Sequence, residues 1–90
     1  MQIDVYDTYA TSKQGAVIHF DVFVERGTGG DKALEYARKW LAGIGEDPQK
    51  LDQSHCRYCH SEHANPVVQG TIKKDGYYIL QMEGCPEPVV

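Results

Sequence analysis

Ninety residues suffice for one domain spanning residues 1–90 and leave no room for a second core. Hydrophobic residues make up 41% and charged residues 24%, a globular balance that excludes intrinsic disorder. The net charge of −4 argues against nucleic acid as a partner, and no apolar run approaches the roughly 18–20 residues that cross a bilayer.

The opening Met1-Gln2-Ile3-Asp4-Val5 has neither a basic n-region nor an apolar h-region. That points away from secretion and toward a reducing, cytoplasmic setting. Ile3 to Ala10 alternates as a strand, with Ile3, Val5 and Tyr9 on one side and Asp4, Tyr6 and Thr8 on the other. Asp7 interrupts the apolar side and marks its edge or a bulge. Thr11-Ser12-Lys13-Gln14-Gly15 is a polar turn. Ala16 to Glu25 is a second strand, with Ile18, Phe20, Val22 and Val24 facing a core and Val17, His19, Asp21 and Phe23 facing away. The two strands predict an antiparallel hairpin.

Arg26-Gly27-Thr28-Gly29-Gly30 breaks the pattern, and Asp31 is suited to cap the helix that follows. Leu34, Ala37, Leu41 and Ile44 form one apolar stripe, with Gly43 and Gly45 as the stop. Glu46 to Lys50 is a loop, and Ser54 is placed to cap a short helix through residues 55–63. Asn65-Pro66 begins a further helix that runs to about Lys74 and buries Val68 and Ile72. Tyr77 to Glu83 is a third strand, after which the proline-containing tail Gly84 to Val90 cannot easily continue a sheet. The order β-β-α-(α)-α-β predicts an α+β fold: a small, mainly antiparallel three-stranded sheet with two or three helices on one face.

Three cysteines cannot close a disulfide framework. Two of them, with three of the four histidines, fall in Ser54-His55-Cys56-Arg57-Tyr58-Cys59-His60-Ser61-Glu62-His63. On a helix, Cys56, Cys59, His60 and His63 share one face. Thiolate and imidazole suit the tetrahedral shell of zinc, and Cys85 is the natural donor from elsewhere, with His19 a weaker one. A competing reading makes the same cysteines packed core, since reduced Cys is a small hydrophobe. Cys56-Arg57-Tyr58-Cys59-His60 also spells the C-x-x-C-H of covalent haem attachment, with Met82 as a distal ligand. The strand-rich start and the missing leader oppose that reading. A dithiol redox site is a further alternative, but no convincing strand precedes the motif.

Val5-Tyr6-Asp7-Thr8-Tyr9, His19-Phe20-Asp21-Val22, Ala37 to Ile44, Cys56-Arg57-Tyr58-Cys59-His60 and Gly76-Tyr77 through Met82-Glu83-Gly84-Cys85 together resemble an uncharacterised bacterial family, domain of unknown function 2024. The resemblance covers almost the full length and implies a compact α/β domain standing alone. It implies no activity and carries over no catalytic residue.

His19 and Asp21 share a strand face, and with Asp4 and Tyr6 they could form a polar cluster for general base work, or simply a solvated face. Gly27-Thr28-Gly29-Gly30-Asp31-Lys32 lacks the Walker pattern and reads as a flexible connection. Numerous tyrosines and open sheet edges allow a homodimer. The functional expectation is a small cytoplasmic protein holding a structural zinc through Cys56, Cys59, His60, His63 and Cys85. The alternative is a metal-free interaction module.

Overall fold

The structure, a computed structural model, describes residues 1–89. Four strands form one antiparallel sheet: β1 (Gln2–Thr11), β2 (Val17–Glu25), β3 (Cys56–His63) and β4 (Tyr77–Gln81), in the order β3-β1-β2-β4. Two helices complete it, α1 (Gly30–Gly43) and α2 (Pro66–Asp75).

The β1–β2 hairpin forms as its alternation predicts. Its turn is closed by Ser12, whose amide donates to Ala16 O at 2.8 Å. The Ser12 hydroxyl accepts from the amides of Gln14 and Ala16. That closure sets a register running from Thr11↔Val17 to Ile3↔Glu25. Consequently Tyr6, Thr8 and Ala10 share a face with Ile18, Phe20, Val22 and Val24, while Ile3, Val5, Asp7 and Tyr9 share the other with His19, Asp21 and Phe23.

Both faces are used. Helix α1 lays Ala33, Ala37 and Leu41 on the first, where Phe20 meets Trp40 at 4.6 Å between ring centroids. Helix α2 lays Val68 and Ile72 on the second, against Ile3, Val5 and Phe23. The α2 boundaries follow the sequence signals: the Asn65 side chain accepts from Val68 N at 2.9 Å, Pro66 opens the first turn, and Gly76 ends the helix in the left-handed region.

Two expectations are corrected. The sheet has four strands, not three, because the Cys/His segment is not a helix but the edge strand β3, with its one buried residue at Cys56. An edge strand exposed along most of its length lacks the apolar alternation by which strands are recognised. The helices are also not gathered on one face, since α1 and α2 pack on opposite sides, making a helix–sheet–helix sandwich. A lesser difference lies at α1, which begins at Gly30 with Gly29 in the cap position, leaving Asp31 in the first turn. Of the tail, Val90 lies outside the described residues.

Candidate functional site

The short α2 covers only one end of its sheet face. Beyond that end lie Asp7 on β1 and His19 and Asp21 on β2. The register makes Asp7 and Asp21 direct cross-strand partners, with Tyr9 opposite His19 in the same way. One ligand atom from each of Asp7, His19 and Asp21 falls within 4.8 Å of the other two. Among the described residues, this is the trio of His, Cys, Asp or Glu side chains that converges closely enough for a common ion.

The site is held in place from several directions. His19 Nε2 lies 2.6 Å from Asp7 Oδ1. The Tyr9 ring stacks on the imidazole at 4.1 Å and 6°, which fixes the ring plane. The backbone of His19 is clamped by the chain after β4: its amide donates to Glu83 O at 2.7 Å, and its carbonyl accepts from Met82 N at 3.0 Å. Cys85 Sγ donates to the same carbonyl at 3.2 Å.

Two carboxylates directly opposite each other on neighbouring strands repel. Burial first, and then the adjacent Asp7, as an acceptor for the Asp21 proton and by its charge, together push the Asp21 carboxyl up to about 6. His19 and His60 oppose that rise. A fold that sets such a pair at its centre has to balance it with a proton, an imidazolium or a bound cation.

The geometry fits a cation. Donor atoms held about 2.0–2.2 Å from one ion stand roughly 3 Å apart when adjacent in its shell. The His19–Asp7 contact at 2.6 Å therefore needs to open by about 0.4 Å for a six-coordinate ion and by somewhat under 1 Å for a tetrahedral one. One imidazole and two carboxylates form a borderline-to-hard donor set without sulfur, suited to zinc, manganese or ferrous iron. The side chains of His19 and Asp7 are 22% and 38% exposed, so an ion could enter from solvent.

The cysteines and histidines singled out in the sequence are dispersed. Cys56 points into the α1-side core and is 2% exposed, where its sulfur accepts from Thr8 Oγ1 at 3.5 Å. Cys59 is exposed and falls at the bulge where the β1–β3 register shifts between Val5 and Tyr6. His63 reaches Gln2 at 3.1 Å, and His60 Nε2 lies 2.6 Å from Glu62 Oε1. Cys85 sits beside His19 on β2, two strand spacings from β3, or about 9–10 Å. Burial raises the thiol pKa of both Cys56 and Cys85, which disfavours the thiolate that zinc and redox chemistry use. Asp4 and Tyr6, grouped with His19 and Asp21 in the sequence, lie on the opposite face: Asp4 accepts from Ser61 Oγ at 2.6 Å and from Gly27 N at 3.0 Å.

Asp7 is the residue that sequence reading missed. Its signal was present, because Asp7 has the same parity as Ile3, Val5 and Tyr9, and a hairpin closed between Ser12 and Ala16 places it across from Asp21.

Comparison with known proteins places this fold. The sequence profile of the domain of unknown function DUF2024 matches residues 1–82. The chain belongs to the DUF2024 family. It is similar, at 49% identity, to a structural-genomics target protein from Nitrosomonas europaea solved by NMR. That likeness covers 94% of this chain and 99% of the other, with a TM-score of 0.83. No curated protein matches the chain. The DUF2024 match includes Asp7, His19, Asp21 and all of β3, and it ends before Cys85.

Proposed function

We propose that this DUF2024 protein binds a divalent transition-metal ion through Asp7, His19 and Asp21. The observation that carries the reading is the convergence of these three side chains on the stretch of sheet that α2 leaves bare. Paired carboxylates on adjacent central strands are a local liability, and a cation converts the repulsion into attraction. The trio sits on two paired strands whose register is fixed by the Ser12 turn, so its donors are held by rigid elements. Three protein donors leave at least one coordination position for a further ligand.

Optical titration with Co²⁺ tests this directly. Saturable binding with d–d absorption and without a sulfur-to-metal charge-transfer band is expected, lost in His19→Ala and Asp21→Asn and unchanged in Cys59→Ser. A thiolate band, or binding indifferent to His19 and Asp21, would overturn the reading.

A further inference from the structure

His60 stands on β3 as the Cα partner of Val5, and Val5 is two residues before Asp7 on β1. Two-residue spacing puts the His60 side chain on the same face as the trio, diagonal to Asp7. Such diagonal neighbours have Cα atoms about 7–8 Å apart, within the reach of an imidazole and a carboxylate extending toward each other.

The other side of the ring is already engaged. His60 Nε2 lies 2.6 Å from Glu62 Oε1, which leaves Nδ1 as the free nitrogen. Histidines that ligate metals almost always give their second ring nitrogen to a carboxylate or carbonyl, which sets the tautomer and strengthens the ligating nitrogen. The Glu62–His60 contact has that form. The bulge at Cys59 contributes by shifting the register so that His60, and not Cys59, faces Val5. Bulges beside functional sites commonly re-aim a side chain in this way. A surface His–Glu pair has little value for stability by itself, so its presence beside an acidic trio asks for another role.

We propose that His60, oriented by Glu62, is a fourth ligand to the ion held by Asp7, His19 and Asp21. The inference rests on the metal-binding reading above and sharpens it. Two imidazoles and two carboxylates complete a four-coordinate shell of the kind zinc prefers, whereas magnesium and calcium favour six or more oxygens. The side chain is 51% exposed, so it can turn to the ion without breaking the core.

Zn²⁺ affinity, measured by competition with a chromophoric chelator at pH 8, separates the two claims. His60→Ala is expected to weaken Zn²⁺ at least ten-fold, and Glu62→Gln by several-fold to ten-fold. Lys39→Gln, a charge change on α1 across the sheet from the site, is expected to stay within two-fold. The d–d bands of the Co²⁺ form should shift in His60→Ala, as a water oxygen replaces the imidazole nitrogen. If His19→Ala abolishes Zn²⁺ binding while His60→Ala binds as the wild type does, the trio stands and the fourth ligand is refuted. If the wild type binds no Zn²⁺, both claims fall.

Discussion

Replacing Asp21 by Asn should stabilise the metal-free protein at alkaline pH and lose that advantage in acid. Asp21 titrates near 6 in the folded chain, against 3.8 for the free side chain. Because the folded value is the higher one, the stability tied to its proton is fully present below 3.8 and is lost as pH rises through 6. The full difference corresponds to at most about 3 kcal/mol. Asp21 is only partly buried, and solvent screening reduces this to about 1–2 kcal/mol. Asn keeps the shape and removes the charge facing Asp7. Thermal unfolding in EDTA, followed by circular dichroism, should therefore place Asp21→Asn roughly 5–10 °C above the wild type at pH 8. Between pH 6 and 4 the gap should shrink to near zero. Zinc should reverse the order, since an ion at a hundred-fold excess over its dissociation constant adds about 2.7 kcal/mol to the protein that binds it. Equal melting temperatures at pH 8, or a gap that persists unchanged at pH 4, would refute the claim that burial and the facing Asp7 disfavour the Asp21 charge.

Other substitutions probe the scaffold. Gly84→Ala should destabilise by more than about 2 kcal/mol in urea unfolding, because φ is +77° there and an added Cβ would collide with the carbonyl oxygen of Val17. Asn65→Ala should cost about 1 kcal/mol by removing the cap at the start of α2. Iodoacetamide should label Cys59 quickly in the native protein, with Cys56 and Cys85 reacting only on unfolding, as counted by mass spectrometry.

Much of this architecture is legible from local chemistry. The hairpin, the stripe on α1 and the Asn65-Pro66 start of α2 each carry a periodic or capping signal strong enough to survive folding. The strand nature of residues 56–63 carries none, because Arg57 through His63 are exposed and only the pairing with β1 makes them a strand. Histidine and cysteine spacing then suggests a helical face where the backbone instead alternates and bulges. The division of the helices between two faces was also hidden. The polar residues His19 and Asp21 suggest a solvated sheet face, yet Ile3, Val5 and Phe23 on that face are buried under α2. The candidate site occupies the remainder. It depends on cross-strand register, a tertiary quantity: Asp7 and Asp21 are fourteen positions apart and meet only through the turn at Ser12.

The location of the ion is the most direct test. In the ¹⁵N-resolved NMR spectrum, sub-stoichiometric Co²⁺ should first broaden or shift the amides of residues 7, 19 and 21 and then those of 9, 60 and 85, with the outer side of α1 least affected. Effects centred on the thiols, or spread evenly over the acidic surface, would contradict a metal site on the open end of the α2 face.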